Sequence, residues 1–370
     1  MKQPKILFLV VIALLPLILV SCSGTAQPKG GWSGPAVHDG IIYVGTRDGR
    51  VVAINSSTGG QNWSYPIDPP AAIYTTPIVD GELVYVGTYS GRVYALAIAR
   101  GIERWVYPRT GSIGAIVGSP VIANDTIYIS NSDGMVYALD TTYGDLKWKS
   151  EPLAVKLWTS PTVMGDTLYV STFDGHIYAL SMETGELLDW SFKSQAGFAS
   201  SPVIYGDTIF VGSFDRCLYA IKIGSDVPVW KFPQEKPAGN WFWAPPVVNE
   251  GIVYAGCLDG KLYAIEAKTG EKLWEFDTGK PIVSSPVLIG NLLIVANEAG
   301  NVYIINSETG DGERIKNPDN ADKPTINTQI RTPLCAREGL VYIRGEDNQL
   351  YVVDIEKREV SQPIPLTEEE

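Results

Sequence analysis

The sequence predicts an all-β protein, an eight-bladed β-propeller whose blades are four-stranded antiparallel sheets. Three observations lead to this fold class. A turn-and-strand pattern recurs through most of the 370 residues at a spacing of about forty residues, which is typical of propeller blades. Within each repeat, short runs of β-branched and aromatic residues alternate with turn residues. No long amphipathic helical stretch competes with this interpretation.

The composition is that of an acidic globular protein. Apolar residues make up 45% of the chain and charged residues 19%, which is typical of folded domains rather than disordered ones. The formal net charge is −12 at pH 7. Because an acidic surface repels phosphate backbones, we expect no nucleic-acid partner.

Residues 1–21 are predicted to be a lipoprotein signal peptide. Two lysines precede an apolar run over residues 6–20, which is shorter than the roughly 20 residues that a membrane-spanning helix needs. The run leads into Leu19-Val20-Ser21-Cys22, which resembles the bacterial lipobox. The resemblance implies cleavage before Cys22 and a diacylglyceryl group on its thiol. The alternatives are an uncleaved signal anchor and a secretory signal in which Cys22 is incidental.

If Cys22 carries lipid, residues 22–31 form a lipidated tether and residues 32–370 form the propeller. The propeller then lies outside the cytoplasm, attached to a bacterial membrane, which is the outer membrane if the source has one. The remaining cysteines are Cys217, Cys257 and Cys335. They form no Cys-x-x-Cys or adjacent pair, so we expect small buried residues rather than a disulfide framework or a metal cluster.

Each repeat opens with two small residues and a proline, followed by an apolar strand. The repeat prolines are Pro35, Pro77, Pro120, Pro161, Pro202, Pro246, Pro286 and Pro333. Blades converge on the propeller axis, so only small side chains are expected between the innermost strands. An aromatic or aliphatic residue marks the second strand at a constant distance from the proline, except that Tyr342 of the eighth repeat comes one residue later. This spacing predicts a one-residue insertion in the eighth blade.

Turn residues and tryptophans mark the rest of each repeat. Asp-Gly joins the second and third strands at Asp48-Gly49, Asp133-Gly134, Asp174-Gly175 and Asp259-Gly260. This dipeptide is a strong hairpin signal, because glycine adopts positive φ at little cost. The fourth strand carries Trp63, Trp105, Trp148, Trp190, Trp230 or Trp274 in the first six repeats. Arg314 and Gln362 stand at this place in repeats seven and eight, so their blades are expected to be less tightly docked.

Two repeats contain the motif Ala-x-(polar)-x-x-Thr-Gly-x-x-x-Trp, from Ala53 to Trp63 and from Ala264 to Trp274. It resembles the tryptophan-docking repeat of the quinoprotein-type propellers, named for pyrroloquinoline quinone (PQQ), and the resemblance covers nearly all of the predicted propeller. It implies that each of the six tryptophans docks its own blade onto the next against the glycine peptide. Asp226 departs from the pattern in the fifth repeat, where glycine is expected.

Two branches of this family share the repeat. One contains PQQ-dependent alcohol and glucose dehydrogenases, and the other contains non-enzymatic propellers such as the BamB family of outer-membrane assembly lipoproteins. The dehydrogenases carry long insertions and an adjacent cysteine pair over the cofactor, and this sequence has neither. The histidines are His38 and His176 alone, too few for a histidine metal site or a catalytic triad spread over the repeats. We therefore expect no catalytic residue, no metal and no PQQ cofactor.

Several large side chains precede the repeat prolines and are candidates for recognition. Trp158 and Trp243 stand three residues before theirs, as do Trp32 and Tyr74, and Trp241 lies close by. We expect these aromatics at one level near a mouth of the channel. There they either cap the interior or form a platform for a peptide, glycan or ring-shaped ligand.

Arg331 is the second kind of candidate. It stands two residues before its repeat proline, where the other seven repeats have a small residue. A guanidinium there either lines the wet channel, pairs with an acidic or carbonyl group, or receives an anionic partner. We nominate Arg331, Trp158, Trp241 and Trp243 as the interaction cluster.

The sequence as a whole favours a non-enzymatic, lipid-anchored propeller that acts as a protein-interaction scaffold at a bacterial membrane surface. Resemblance to the BamB branch implies a role in outer-membrane protein assembly, with other proteins as partners and a monomeric propeller. The alternatives are an extracytoplasmic ligand-binding or sensory propeller and a degenerate PQQ-dependent dehydrogenase.

Overall fold

The computed structural model describes residues 31–153 and 156–366. Within these residues the regular elements are all β-strands, arranged in eight antiparallel sheets. The predicted all-β, eight-bladed propeller is therefore confirmed. The predicted signal peptide, Cys22 and the tether up to residue 30 lie outside the described residues. In the part of the chain that the structure describes, no helix is long and apolar enough to span a membrane.

Each blade is a meander whose four strands follow chain order. The first strands are β1 (Ala36–His38), β5 (Ile78–Asp80), β9 (Val121–Ala123), β13 (Thr162–Met164), β17 (Val203–Tyr205), β21 (Val247–Asn249), β25 (Val287–Ile289) and β29 (Cys335–Arg337). The second strands are β2 (Ile41–Gly45), β6 (Leu83–Gly87), β10 (Thr126–Ser130), β14 (Thr167–Ser171), β18 (Thr208–Gly212), β22 (Ile252–Gly256), β26 (Leu292–Ala296) and β30 (Leu340–Arg344).

The outer half of each blade contains its third and fourth strands. The third strands are β3 (Arg50–Asn55), β7 (Val93–Ala97), β11 (Val136–Asp140), β15 (His176–Ser181), β19 (Leu218–Lys222), β23 (Lys261–Glu266), β27 (Val302–Asn306) and β31 (Gln349–Asp354). The fourth strands are β4 (Gln61–Pro66), β8 (Glu103–Tyr107), β12 (Leu146–Lys149), β16 (Leu187–Lys193), β20 (Trp230–Phe232), β24 (Lys272–Asp277), β28 (Gly312–Arg314) and β32 (Glu359–Val360). In blade 8, β33 (Ile364–Pro365) also pairs with β31.

Contacts between blades give the order of strands from axis to rim. First strands of neighbouring blades contact one another, as β1 does with β5 and with β29, so they surround the axis. The core lies between the sheets rather than on one side of each. Tyr43 of blade 1, for example, shares a buried cluster with Val84 and Val86 of blade 2. Strands that are covered on both faces explain the successive apolar residues in the sequence.

Blade 8 closes the ring by packing on blade 1. Ile42 and Val44 of β2 share a buried cluster with Tyr342 and Leu350 of blade 8. Among the described residues, the strands of each of these two blades come from one continuous stretch of chain. Closure therefore rests on side-chain packing and hydrogen bonds, with no strand exchanged between blades 8 and 1.

The turns between second and third strands lie on one face of the ring, which we call the hairpin face. The segment that leads from the rim of one blade to the first strand of the next crosses this face, and we call it the entry segment. The N–H of Ile116 donates to the carbonyl of Thr88 at 3.1 Å, and the N–H of Phe198 donates to that of Thr172 at 3.0 Å. Each of these entry segments is thus fixed to the hairpin turn of the preceding blade.

The entry segment of blade 8 corrects the alignment made from the sequence. A small buried residue lies three positions before the first strand and contacts the end of the second strand. In blade 2 this residue is Thr75, whose hydroxyl donates to the carbonyl of Gly87 at 2.9 Å. In blade 8 this bond runs from Thr332 to Arg344 O at 2.8 Å. Thr332, and not Arg331, therefore belongs to the series of small residues. The extra residue of this repeat lies between the repeat proline and β29, so counting back from the proline shifts the series by one.

Candidate functional site

Each of the six tryptophans assigned to docking donates its indole N–H to a backbone carbonyl of the next blade. The pairs are Trp63–Ile98 (2.7 Å), Trp105–Thr141 (2.9 Å), Trp148–Met182 (2.9 Å), Trp190–Ser225 (3.0 Å), Trp230–Ala267 (2.9 Å) and Trp274–Ser307 (3.1 Å). The same indole-to-carbonyl hydrogen bond thus recurs at each of the six junctions between consecutive blades from blade 1 to blade 7. The indole rings span the gap where the outer strands of neighbouring blades diverge.

A glycine of the receiving blade lies beneath five of these rings. The glycines are Gly101, Gly144, Gly185, Gly270 and Gly310. A Cβ at Gly144 would lie 2.4 Å from Cδ2 of Trp105, so no side chain fits there. Because the glycine belongs to the receiving blade, Asp226 of blade 5 affects the docking of Trp190, whose indole N–H donates to the neighbouring Ser225 carbonyl.

An ion pair replaces tryptophan docking between blades 7 and 8. Glu313 of β28 is opposite Ile304 of β27. At the equivalent place in blade 6, Trp274 is opposite Ala264. The assignment of Arg314 to this place was therefore wrong by one residue. Glu313 pairs with Arg358 of blade 8. Arg358 has a φ of 58° at the point where the repeat has glycine.

An aliphatic side chain replaces the tryptophan between blades 8 and 1. Ser361 is opposite Val352, since its N–H donates to the carbonyl of Val352 at 2.8 Å, so Gln362 is likewise displaced from the tryptophan register by one residue. Beyond it, Ile364 lies so close to Gly59 of blade 1 that a Cβ there would be 3.3 Å from its Cδ1. Blade 8 is thus flanked by two junctions without an indole.

The aromatic residues singled out in the sequence lie in entry segments, four positions before the first strand. Trp32, Tyr74, Trp158 and Trp243 share this place, and Arg331 holds it in blade 8. First strands surround the axis, so these side chains lie around the hairpin-face end of the central channel, which we call the mouth. Trp32 and Tyr74 meet edge to face, with ring centroids 5.7 Å apart.

Five aromatic rings form a continuous arc along the mouth in blades 4 to 6. Trp158 contacts Phe173 at a centroid distance of 5.4 Å, and Phe173 contacts Phe214 at 5.3 Å. Phe214 then contacts both Trp241 at 5.2 Å and Trp243 at 6.4 Å. All five side chains are partly exposed. We call this set the aromatic arc.

The sequence predicted three members of the arc and missed Phe173 and Phe214. Both residues stand directly before the aspartate of a hairpin turn, as Phe173-Asp174 and Phe214-Asp215. The sequence signalled the turn at Asp174-Gly175 but not the one at Asp215-Arg216, and neither phenylalanine was singled out. Because the hairpin turns and the entry segments meet on one face, the residue before the aspartate points to the same mouth as the entry-segment tryptophans.

Arg331 forms ion pairs with two glutamates at the mouth. Its Nη2 lies 2.6 Å from Glu298 Oε1, and its Nη1 lies 3.1 Å from Glu346 Oε1. Glu298 is on the hairpin turn of blade 7 and Glu346 is on that of blade 8. Of the three alternatives open for Arg331, the structure shows pairing with acidic groups. The structure thus places Arg331 at the same level as the arc, but on a separate and polar wall.

The cysteines in the described part of the chain are unpaired, and burial raises the pKa of their thiols. Cys217, Cys257 and Cys335 are free thiols. Burial, reinforced by the nearby Asp215 carboxylate, raises the pKa of Cys217 to about 11, so its thiolate is scarce at neutral pH. His176 Nδ1 lies 3.2 Å from Asp174 Oδ2 on the hairpin turn of blade 4. Among the described residues, no group of His, Cys, Asp or Glu could hold a metal ion.

The Arg331 side of the mouth is a poor match for PQQ, the cofactor of the quinoprotein branch of the fold. PQQ is a planar polycarboxylate, so it needs cationic partners as well as aromatic faces. The arc offers aromatic faces, and Lys156 Nζ lies 5.3 Å from the centroid of the Trp158 ring. The Arg331 guanidinium, however, is already engaged by Glu298 and Glu346, and this trio carries a net negative charge. The trio therefore does not attract an anionic quinone.

The chain is similar to known proteins at the level of a family and at the level of the fold. The family model of outer membrane protein assembly factor BamB matches residues 23–231 and 218–315. A search of curated protein sequences finds no significant match.

Solved structures share the fold at low identity. BamB from Moraxella catarrhalis is 21% identical with a TM-score of 0.69, covering 86% of this chain and 93% of that one. The computationally designed Ika8 protein is 16% identical with a TM-score of 0.73, covering 88% of this chain and 96% of that one. Quinohemoprotein alcohol dehydrogenase ADHIIG from Pseudomonas putida HK5 is 15% identical with a TM-score of 0.65, covering 88% and 70%.

Proposed function

The chain belongs to the family of outer membrane protein assembly factor BamB, and from that membership we propose a non-enzymatic, lipid-anchored scaffold that holds partner proteins at a bacterial membrane surface. The process is outer-membrane protein assembly where the source has an outer membrane. The partners are components of the assembly complex, and the propeller itself is a monomer.

The aromatic arc is the observation that carries this proposal. Its five large side chains stay partly exposed at the mouth, whereas several docking tryptophans of the same chain are buried, such as Trp63 at 8% exposure. The backbone beneath the arc is fixed, since the N–H of Leu258 donates to the carbonyl of Trp241 at 2.9 Å. Partly exposed aromatic side chains on a rigid frame are typical of protein-binding hot spots.

The two walls of the mouth support a polypeptide partner over a small anionic ligand. The arc supplies apolar area in blades 4 to 6, while Arg331, Glu298 and Glu346 supply charged groups in blades 7 and 8. An extended segment that combines apolar and charged side chains satisfies both walls. The sequence carries neither the long insertions nor the adjacent cysteine pair of the PQQ-dependent dehydrogenases, which supports a role without catalysis and without a cofactor.

The lipid anchor rests on the lipobox-like sequence before Cys22. A diacylglyceryl group with a second acyl chain gives stable membrane attachment, because each buried methylene contributes about 0.8 kcal/mol. Cys22→Ala is expected to leave a protein that is either uncleaved or released from membranes. Mass spectrometry of the wild-type protein that shows an unmodified N-terminus at a residue other than Cys22 would contradict lipid anchoring.

The scaffold role is tested by partner capture with variants of the arc. Trp243→Ala and Phe214→Ala are expected to lower the amount of assembly-complex subunits co-purified after cross-linking by at least about tenfold. Tyr143→Ser is the matched control, because Tyr143 is an aromatic residue with 68% exposure in a turn away from the hairpin face. Circular dichroism verifies that each variant is folded. Unchanged capture by both folded arc variants would refute the arc as the binding surface.

A further inference from the structure

A second group of aromatic side chains lies at the mouth, in blades 1 and 2, apart from the aromatic arc. Trp32 meets Tyr74 at a centroid distance of 5.7 Å, and Tyr74 contacts Tyr89 at 5.4 Å. Trp32 and Tyr74 lie in entry segments, and Tyr89 lies on the hairpin turn of blade 2. All three side chains are partly exposed. We call this set the tyrosine platform.

The propeller fold does not require aromatic residues at these places. In blade 3 the places of Tyr74 and Tyr89 are held by Val117 and Ser132, and in blade 7 the place of Tyr74 is held by Val283. These blades form the same four-stranded sheet without the rings. The large side chains of the platform are therefore not explained by the packing of the blades.

The backbone beneath the platform is held on both sides. Tyr74 lies between Ile73 and Thr75, which are both fully buried. The N–H of Tyr89 donates to the carbonyl of Ala72 at 3.0 Å, so the hairpin turn is fixed to the same entry segment. Because the rings stand on a fixed frame, a ligand that binds them orders few additional groups.

The platform presents hydroxyl groups to solvent. In the part of the chain that the structure describes, the hydroxyls of Tyr74 and Tyr89 have no hydrogen-bond partner, and neither oxygen is buried. By contrast, the hydroxyls of Tyr85 and Tyr94 in the same blade donate to backbone carbonyls at 3.1 Å and 3.0 Å. Burial, reinforced by the nearby Tyr89, raises the pKa of Tyr74, so this hydroxyl is protonated at neutral pH and can donate.

The platform differs in charge from the wall that Arg331 forms with two glutamates. At the entry-segment and hairpin places of blades 1 to 3, all of which lie within the described residues, Arg47 alone is charged. Its Nη1 donates to the carbonyl of Glu346 in blade 8 at 3.3 Å, so this guanidinium is directed towards blade 8. Aromatic faces with free hydroxyls and without an opposing charge favour an uncharged, hydroxyl-rich ligand.

We propose that Trp32, Tyr74 and Tyr89 bind an uncharged saccharide chain at the mouth of the propeller. A pyranose ring has an apolar C–H face that packs on an aromatic ring. Its hydroxyls both donate and accept, so they can pair with the hydroxyls of Tyr74 and Tyr89. The aromatic arc has no hydroxyl group in its five side chains, which is why the saccharide is assigned to the platform. This site is additional to the protein-binding role of the arc and does not depend on it.

The proposal is tested by calorimetric titration of the full-length protein with two uncharged oligosaccharides, cellotetraose and chitotetraose. Saturable binding of at least one of them is expected, and the comparison shows whether the site takes plain or N-acetylated sugars. Absence of saturable binding by both oligosaccharides would overturn the proposal.

Two variants locate the bound saccharide. Tyr74→Val introduces the residue that blade 3 has at this place, so the variant is expected to fold and to bind at least about tenfold more weakly. Tyr89→Phe removes one hydroxyl and is expected to weaken binding by about two- to tenfold. Tyr143→Phe is the matched control, because the Tyr143 side chain is 68% exposed and lies away from the mouth. If both folded platform variants bind like the wild type, the saccharide binds elsewhere and the proposal fails.

A reciprocal comparison separates this site from the protein-binding surface. Phe214→Ala, in the aromatic arc, is expected to keep saccharide binding at the wild-type level. Tyr74→Val is expected to keep partner capture at the wild-type level. If Tyr74→Val instead loses partner capture and neither oligosaccharide binds the wild type, the platform belongs to the protein-binding surface and the saccharide site is refuted. Failure of the arc variants to change partner capture would refute the arc and leave the saccharide titration unaffected.

Discussion

At the scale of single residues, the glycines beneath the docking tryptophans leave no room for a side chain. Gly144 has a φ of 69°, and a Cβ there would overlap Trp105, whose ring is 7% exposed. Gly144→Ala combines backbone strain with displacement of a buried ring. We expect a loss of about 3–5 kcal/mol in the free energy of unfolding, similar to that of Trp105→Ala. Urea denaturation measures both.

Gly165 provides the matched control for this prediction. Its φ is 58° and its Cβ position has no neighbour within 4 Å. Gly165→Ala therefore carries the cost of a left-handed backbone alone, about 1–2 kcal/mol. Equal losses for Gly144→Ala and Gly165→Ala would show that the tryptophan does not rest on Gly144.

The buried thiols give a second prediction at this scale. Burial raises the pKa of Cys217 to about 11 and raises the pKa of Cys257, which is fully buried. At pH 8 both are therefore expected to resist maleimide in the native protein, while partly exposed Cys335 reacts first. Mass spectrometry of labelled peptides gives the order, and full labelling in urea verifies reagent access. Rapid native labelling of Cys257 would contradict the packing between blades 5 and 6.

At the scale of strands and turns, the sequence correctly predicted the features that the repeats share. Its predictions failed in repeats seven and eight, where the residues depart from the common pattern. Strand number, the position of Trp274 and the Asp-Gly turns follow from spacing, because spacing reflects the common geometry of the blades. The assignments of Arg314 and Arg331 each missed the register by one residue. Position along the chain does not determine register once an insertion or a bulge intervenes, because register is set by hydrogen bonds between strands.

The junction between blades 7 and 8 yields a prediction for one structural element. Glu313 and Arg358 are 60% and 59% exposed, and an exposed ion pair contributes little, about 0–1 kcal/mol. Glu313→Trp/Arg358→Gly restores the tryptophan and glycine of the other junctions. We expect this variant to be more stable by about 1–3 kcal/mol, because an indole buries large apolar area and glycine relieves the positive φ of Arg358. Urea denaturation gives the difference.

The single variants separate the two contributions. Arg358→Gly alone is expected to gain up to about 1 kcal/mol from the backbone. Glu313→Trp alone leaves the side chain of Arg358 where the ring must lie, so no gain is expected. A double variant no more stable than Arg358→Gly would show that the docking geometry is not available at this junction.

At the scale of the whole molecule, the mouth could be predicted only in part. Trp158 and Trp243 were found because they share a place in the repeat. Phe173 and Phe214 join them only when the ring brings hairpin turns and entry segments to one face.

Uneven docking around the ring leads to a prediction about its stability. Blade 3 has a tryptophan at both junctions, through Trp105 and Trp148, whereas blade 8 has the exposed pair of Glu313 with Arg358 on one side and Ile364 on the other. Local opening follows the regions with the least buried apolar contact. We therefore expect hydrogen exchange by mass spectrometry to be faster in β30 and β31 than in the equivalent β10 and β11. The comparison holds strand length and hydrogen-bond pattern nearly constant, so the docking residues are the main difference. Equal protection of blades 3 and 8 would mean that the ring opens as one cooperative unit and that the tryptophans do not set its local stability.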